Sequence, residues 1–280
     1  MIFYFSGTGN SLAIARCLSK ALNDDLISMA KPTIHDCLTA KSNKQFLGFV
    51  FPVYAWGMPA IVEFFLRHTF SSYISLFYDN IQSDKHFKND LKHKGIYVFL
   101  ILTCGDDTGE THKIFRKVLK KIYKLDINAY WSVQMPNTYI AIPGFDTDNA
   151  RIIQNKLKNA SSAIQHIATA ITKRETNICQ VCTGTLPYFK SYILRPLFKL
   201  FLSSPKGFHT EEKLCIGCRK CALTCPLGNI LMDEHMKPQW KNNCTICFAC
   251  YHKCPKHAIR WGIFSNKKKQ YSLDQNHFSK

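Results

Sequence analysis

The sequence predicts an α/β chain in which a doubly wound parallel sheet of five strands is followed by a small α+β domain rich in cysteine. Over residues 1–135, apolar runs alternate with helical patterns, which is the order of a parallel sheet covered by helices. Near the carboxyl end, eight cysteines recur in two runs of matched spacing. The 280 residues, 46% of them hydrophobic, can bury a core and leave room for about two domains.

The elements of the first region follow from hydrophobic periodicity. Apolar runs rich in β-branched or aromatic residues predict strands over residues 1–5, 25–29, 46–52, 95–103 and 127–135. Helical patterns lie between or after these runs, over residues 10–22, 59–70, 109–123 and 146–173. Residues 71–94 are polar and long for a connection, so we interpret them as an insertion with some helix.

Composition divides the chain into four segments. They are an α/β domain (1–173), a basic and aromatic connector (174–210), a cysteine-rich domain (211–265) and a polar tail that we expect to be frayed (266–280). The net charge is +18, and residues 151–210 hold nine basic and only one acidic side chain. This balance favours an acidic protein partner, with a membrane surface as an alternative. We expect no nucleic-acid partner, because no nucleic-acid-binding pattern is present.

The connector contains an apolar helical pattern that leaves two interpretations open. Large apolar side chains recur at intervals of four residues from Phe189 to Phe201. We favour docking between domains. The alternative is peripheral attachment to a membrane through the same face, with Lys190, Arg195 and Lys199 beside it.

The amino-terminal residues lack the basic, apolar and cleavage regions of a signal peptide, so we expect a cytoplasmic location. In that reducing setting the thirteen cysteines are not expected to form a disulfide framework, and a segment rich in cysteine indicates metal sites. Residues 46–66 are long enough to cross a membrane. Pro52, Gly57 and Pro59 interrupt them, however, and favour a strand, a loop and a helix.

The two cysteine runs share the spacing C-x2-C-x2-C-x3-C-P, and each cysteine of the first run recurs at one constant offset in the second. They comprise Cys215, Cys218, Cys221 and Cys225, and then Cys244, Cys247, Cys250 and Cys254. Four thiolates can hold a cubane iron–sulfur cluster, and in runs of this pattern the cysteine before the proline ligates the other cluster. We therefore assign Cys254 to the cluster of the first run and Cys225 to that of the second. The segment resembles a bacterial-type ferredoxin with two 4Fe-4S clusters.

Other cysteine chemistry is less well supported. Structural zinc is the alternative for the eight cysteines, but it leaves some of them unused. Cys179 and Cys182 form a lone CxxC, which fits either a redox pair or half of a metal site. Cys17 and Cys37 are expected to be inert thiols.

The first predicted strand ends in a loop with the chemistry of a phosphate cradle. The loop comprises Ser6, Gly7, Thr8, Gly9, Asn10 and Ser11. The glycines let the backbone approach an anion, the polar side chains can bind it, and the following helix begins with its positive end. Without the lysine of a P-loop, the cradle suits a monophosphate. The alternative is a glycine turn that only caps the helix.

This loop matches the flavodoxin pattern S/T-x-T-G-x-S/T, and residues 1–135 resemble a flavodoxin, which implies bound FMN. The resemblance implies two further flavin loops. One comprises Pro52, Val53, Tyr54, Ala55, Trp56 and Gly57, whose two aromatic rings either stack on the flavin or pack as ordinary core residues. The other comprises Thr103, Cys104, Gly105 and Asp106, and it lacks the aromatic residue that many flavodoxins have nearby.

A chain with both halves resembles the flavodoxin–ferredoxin fusion proteins of anaerobic microbes. This resemblance implies a protein that passes electrons between two 4Fe-4S clusters, FMN and a redox partner. The alternative is an FMN-dependent reductase of a small molecule, such as a quinone or nitro compound, fed by its own ferredoxin domain. A pocket over the flavin with a proton donor such as Asp106, Asp107 or Tyr139 would favour the enzyme.

Overall fold

The structure is a computed structural model that describes residues 1–32, 46–79, 95–202, 204–273 and 278. Six strands form one parallel sheet: β1 (Ile2–Tyr4), β2 (Leu26–Ser28), β3 (Phe46–Pro52), β4 (Tyr97–Cys104), β5 (Ala129–Gln134) and β6 (Ile178–Gln180). Their order is β2-β1-β3-β4-β5-β6. The first five follow the order 2-1-3-4-5 of flavodoxin-like sheets, in which ligands bind at the carboxyl ends of the strands near β1 and β3. The predicted α/β class with a parallel sheet is confirmed.

The sixth strand shows that the predicted count of five was wrong. β6 pairs in parallel with β5, so that Ile178 lies opposite Ala129. It is a three-residue strand at the edge of the sheet, and two of its residues are exposed. It therefore lacks the continuous apolar run by which a buried strand can be recognised.

Helices cover both faces of the sheet. They are α1 (Asn10–Leu22), α2 (Ala60–Phe64), which continues through a π-helical turn (Phe65–Thr69) into α3 (Phe70–Asp79), α4 (Thr111–Tyr123) and α5 (Ala150–Thr172). Side chains of α1 and α5 share one buried cluster, and those of α2 to α4 share another on the opposite face. β4 is buried at all eight positions, which explains its uninterrupted apolar sequence. The predicted insertion begins as α3, and residues 80–94 lie outside the described residues.

The rest of the chain is built from short elements. The connector forms α6 (Pro187–Phe189), a π-helical turn (Lys190–Leu194) and α7 (Arg195–Leu202). A 3-10 turn (Pro205–Gly207) leads into the cysteine-rich module, which contains β7 (Phe208–Thr210), α8 (Lys220–Leu223), β8 (Ile230–Met232), β9 (Pro238–Trp240), α9 (Ala249–Lys253) and β10 (Ile259–Trp261). β7 pairs with β10 and β8 with β9, both antiparallel.

The sequence repeat of the module is also a backbone repeat. φ is 68° at Gly217 and 53° at Ile246, and it is 58° at both Arg219 and Phe248. The two members of each pair are separated by the same offset as the cysteines of the two runs. A left-handed conformation is strained at a β-branched residue such as Ile246. In this conformation the Ile246 N–H donates to Cys244 Sγ at 3.4 Å. The strained backbone therefore supplies a hydrogen bond to a cysteine of the second run.

In the described part of the tail, residues 266–273, two apolar side chains are packed, contrary to the expectation that the tail is frayed. Tyr271 and Leu273 are buried in the cluster that α1 and α5 share. The Tyr271 hydroxyl also donates to Asn10 Oδ1 at 3.2 Å. These two apolar side chains stand among charged and polar neighbours in the sequence, which hides their role from hydropathy.

In the described ranges, no helix is long and apolar enough to cross a membrane. Residues 46–66 form β3, a loop, α2 and the start of the π-helical turn, in agreement with the prediction.

His252 joins the module, the loop after β5 and the tail. Its Nδ1 accepts the Tyr271 N–H at 3.1 Å. Its Nε2 therefore carries the proton and donates to the Thr138 carbonyl at 2.8 Å. Burial lowers the pKa of His252 to about 4, so the ring is neutral at pH 7.

We expect His252→Ala to lower the free energy of unfolding by about 2–4 kcal/mol, because it leaves a cavity and two unpaired main-chain groups. Chemical denaturation under anaerobic conditions measures this loss. The matched control is His166→Ala at an exposed position of α5, which should change stability by no more than about 0.5 kcal/mol. Equal effects of the two substitutions would contradict this role of His252.

Candidate cofactor sites

One set of four thiols surrounds a cavity at the edge of the module. The cavity is bordered by Cys215, Cys218, Cys221 and Cys254. Three of these residues belong to the first run and Cys254 ends the second, so the two runs cross here. Cys218 is exposed, whereas Cys221 and Cys254 are buried. These are the four residues that the sequence assigned to the first cluster.

The other set brings Cys225 of the first run to Cys244, Cys247 and Cys250 of the second. Burial, together with the nearby Cys225, raises the pKa of Cys244 to about 11 and that of Cys247 to about 12. Burial also raises the pKa of Cys250, and the other three thiols contribute. Buried thiols without a cation therefore stay protonated. A metal cluster would supply the missing positive charge and displace those protons.

Backbone N–H groups donate to Cys225 and Cys254, the two cysteines that join the set of the other run. Asn229 donates to Cys225 Sγ at 3.3 Å, and Ala258 donates to Cys254 Sγ at 3.2 Å. The two bonds are related by the offset that relates the two cysteine runs. Hydrogen bonds to cluster sulfurs favour the charged form and tune the reduction potential.

The number and grouping of the thiols match two cubanes. The four thiols of the first set border one shared cavity. Eight thiols in two sets of four are the donors that two 4Fe-4S clusters require.

The loop after β1 has the strand-to-helix geometry that the sequence predicts. α1 begins at Asn10 directly after Gly9, whose φ of 110° is readily adopted only by glycine. The Gly9 N–H donates to Ser6 Oγ at 3.2 Å and closes the turn. A Cβ at Gly9 would meet no atom within 4 Å, so the loop faces open space.

A cavity of about 410 Å³ lies beside this loop. Its volume is within the range of small-molecule sites. Arg16 and Lys31 line it from the α/β part, and Cys225 and Lys253 line it from the module. These three cations in the cavity wall favour an anionic ligand.

Two predicted phosphate ligands have other partners. The Ser11 hydroxyl is hydrogen-bonded to the Thr103 hydroxyl at 2.7 Å. Asn10 Nδ2 donates to the Pro136 carbonyl at 2.9 Å. Both side chains are buried and hold the start of the helix in place. Ser6, Thr8 and the loop backbone line the cavity and remain available for an anion.

The predicted flavin loop after β3 does not line the cavity. Residues 52–57 are absent from its wall, and the connector covers part of them. Lys190 Nζ lies 5.8 Å from the ring centre of Trp56, and the Arg195 guanidinium lies over Gly57, where a Cβ would come within 2.0 Å of Nε. In this structure Trp56 is therefore a docking point for the connector.

The predicted flavin loop after β4 is also separate from the cavity. Thr103 is bonded to Ser11, and Asp106 is exposed. Burial raises the pKa of Cys104 to about 12, so its thiol is neutral. Gly105 lies beside the Asn137 side chain. None of residues 103–106 borders the cavity.

The sequence did not reveal the contact between Gly7 and the module. A Cβ at Gly7 would lie 2.5 Å from Cys247 Cβ and 2.8 Å from the Tyr54 hydroxyl. The loop backbone therefore lies directly against a cysteine of the second set. Burial raises the pKa of Tyr54 well above its usual value, and Cys247 and Cys244 add to the shift. A glycine at position 7 indicates that another group lies close to the loop backbone. The sequence does not identify that group.

Residues 209–255 match the family model of the 4Fe-4S dicluster domain. The chain carries a 4Fe-4S dicluster ferredoxin domain near its carboxyl end. It is similar to a subunit of the ion-translocating oxidoreductase complex of Methanosarcina acetivorans, with 44% identity over 45 residues, which are 16% of this chain and 17% of that protein. It is also similar to the electron transport protein HydN of Escherichia coli K12, with 29% identity over 96 residues, 26% of this chain and 53% of that protein.

The chain thus spans about half or less of the length of these curated relatives. Among solved structures, the Trp repressor binding protein from Bacillus subtilis superposes with a TM-score of 0.36 at 14% identity. The superposition covers 59% of this chain and 96% of that one. A superposition this loose does not establish a shared fold, and the order of the sheet is consistent with a flavodoxin-like fold.

We expect Gly7→Ala to separate the loop from Cys247, because neither backbone nor Cβ atoms can move aside cheaply. The free energy of unfolding should fall by about 1–3 kcal/mol. After iron–sulfur reconstitution, the EPR spectrum of one cluster should change while that of the other stays the same. Gly105→Ala is the matched control, since its Cβ would meet only the flexible Asn137 side chain. Identical behaviour of the two variants would contradict the contact.

Proposed function

We propose that the protein transfers electrons through two 4Fe-4S clusters and FMN, and exchanges them with an acidic redox partner in the cytoplasm. The observation that carries the proposal is the gathering of eight cysteines in two sets of four, each completed by the cysteine before proline of the other run. The match to the dicluster domain and the electron-transport relative support it.

Cys215, Cys218, Cys221 and Cys254 would hold the first cluster, and Cys225, Cys244, Cys247 and Cys250 the second. Bound clusters supply one-electron carriers of low potential, and FMN accepts one or two electrons. The chain contributes the thiols and the N–H groups that point at two of the sulfurs, and it buries all of the thiols at least partly except Cys218. Because the ligands cross, each site needs both runs to be folded.

The first set contains an exposed thiol, whereas none of the four thiols of the second set is exposed. The exposed thiol is Cys218, and Arg219, Lys220 and Lys256 stand exposed nearby. We place the acidic partner here, because complementary charge steers two proteins into a productive orientation. The second set faces inward, with Cys247 against the β1 loop.

We propose FMN for the cavity beside the β1 loop. The residues present fit its phosphate: a glycine loop open to the cavity, the start of α1 and the cations Arg16, Lys31 and Lys253. The predicted stacking residue Trp56 does not line the cavity, so we assign no stacking partner. Cys225 lines it, so a proposed ligand of the second cluster would lie next to the proposed cofactor.

The alternative of a small-molecule reductase has no specific support. Asp106 is exposed, Asp107 is bonded to Lys190 at 2.6 Å, and Tyr139 packs between Phe198 and Phe248. None of the three proposed proton donors borders the cavity.

Anaerobic purification should yield about eight irons and eight sulfides per chain. Serine substitutions then test whether the last cysteine of each run ligates the cluster of the other run. Cys225→Ser should remove the same EPR signal as Cys247→Ser, and Cys254→Ser the same signal as Cys218→Ser. The control Cys182→Ser, at an exposed thiol outside both sets, should keep all the iron.

A different grouping of the variants would contradict the assignment. If Cys225→Ser instead matches Cys218→Ser, each run holds its own cluster. Zinc without sulfide would contradict the iron–sulfur proposal as a whole.

The flavin is tested separately, by quenching of FMN fluorescence. The chain should bind about one FMN, and Arg16→Gln should weaken binding about threefold to tenfold by removing a cation from the phosphate end. Lys20→Gln, one turn later on α1 and outside the cavity wall, is the matched control. A chain with its full iron and no affinity for FMN would remove the flavin and leave electron transfer by the clusters standing.

A further inference from the structure

The connector helix, residues 187–202, turns its apolar side toward solvent. Six large side chains on it and directly before it are between 47% and 73% exposed, and we call them the apolar face: Leu186, Tyr188, Ile193, Leu197, Leu200 and Phe201. The predicted docking between domains does not use this face. Phe198, on the other side of the helix, instead reaches toward the module, through Tyr139.

The polar side of the same helix points into the protein. Ser191 Oγ accepts the Glu110 N–H and donates to the Trp56 carbonyl, both at 2.8 Å. Arg195 Nη2 donates to the Met58 carbonyl at 2.7 Å. Rotating the helix to bury its apolar face would break these bonds and leave buried polar groups unpaired. The outward orientation of the apolar face is therefore fixed by the fold.

Basic side chains lie on the connector helix and on α4, whose start the connector contacts through the bond between Ser191 and Glu110. Helix α4 carries five cations: Lys113, Arg116, Lys117, Lys120 and Lys121. Glu110 and Asp126 pair with three of them, which leaves α4 and its surroundings positive. The charge of Lys113 is close enough to act on Tyr192 of the connector. Lys199 adds a cation on the helix itself.

Several large exposed apolar side chains on one helix are typical of an interaction site, and an apolar helical face with basic neighbours suits the boundary between lipid headgroups and acyl chains. The charge decides between occupants. A second copy of this chain would bring two positive surfaces together, because the chain has a net charge of +18. A surface of anionic lipid complements the same charge.

We propose that the connector helix attaches the protein to an anionic membrane surface, with the apolar face inserted and the cations of α4 at the headgroups. Each large apolar side chain that leaves water favours the bound state. The attachment is independent of the proposed electron transfer, because it uses none of the cofactor residues.

Vesicle flotation of the full chain tests the attachment. The protein should float with vesicles of phosphatidylcholine and phosphatidylglycerol, and much less with phosphatidylcholine alone. The triple variant Leu197→Gln, Leu200→Gln and Phe201→Gln should bind more than about tenfold more weakly. Glutamine is neutral, so the charge of the chain is unchanged. The matched control is Ile263→Gln, at a residue of the module that is 77% exposed, and it should float like the unchanged chain.

Three results would overturn the proposal. They are failure of the unchanged chain to float, equal flotation of the triple variant, and equal flotation with neutral vesicles. Sedimentation analysis adds a fourth: a dimer that the triple variant abolishes would assign the apolar face to a second copy. Circular dichroism and iron content, unchanged in every variant, confirm that the substituted side chains were not needed for folding.

Discussion

The close approach of Gly7 to Cys247 is the constraint on which the arrangement of the two parts depends. Without a side chain at Gly7, the loop after β1 can lie against a cysteine of the second set. The module is thereby seated on the carboxyl ends of the strands, where doubly wound sheets bind their ligands. Cys225 then becomes part of the cavity wall. A larger residue at position 7 would push apart the two surfaces that enclose the cavity.

A shared core reinforces this seating. Ile140 and Ala141, from the loop after β5, are buried in the same cluster as Phe248 and Tyr251 of the module. His252 adds hydrogen bonds to that loop and to the tail. The cysteine runs are therefore packed into the α/β part, which limits how far the second set can move relative to the β1 loop.

The sequence predicted the features that local patterns determine. The strands β3 and β4 are buried nearly throughout, so their apolar runs were unambiguous. The four cysteines that the spacing assigned to the first cluster border one cavity, whereas their ligation of a cluster stays a prediction. Even the left-handed residues of the module recur at the offset of the cysteines, as at Gly217 and Ile246.

Features that depend on distant partners were not predictable. Asn10 and Ser11 have the chemistry of phosphate ligands, yet their partners are Pro136 and Thr103, which lie far away in the chain. A sequence pattern shows what a side chain can bind, whereas burial decides what it does bind. β6 was missed for a related reason, since an exposed edge strand is specified by its neighbour in the sheet and hardly at all by its own hydropathy.

In the connector helix, hydrogen-bond partners that are distant in the sequence determine which side of the helix faces solvent. Its sequence contains an apolar face and a set of polar residues, and it does not specify which of them faces inward. Main-chain groups of the loops after β3 and β4 make that choice, because Trp56, Met58 and Glu110 offer hydrogen bonds that the polar side chains Ser191 and Arg195 satisfy. A buried polar group without a partner raises the free energy of the fold by more than the burial of these apolar side chains would lower it. A protein surface tolerates such exposed side chains. The apolar face is outward because the polar face has specific partners within the protein.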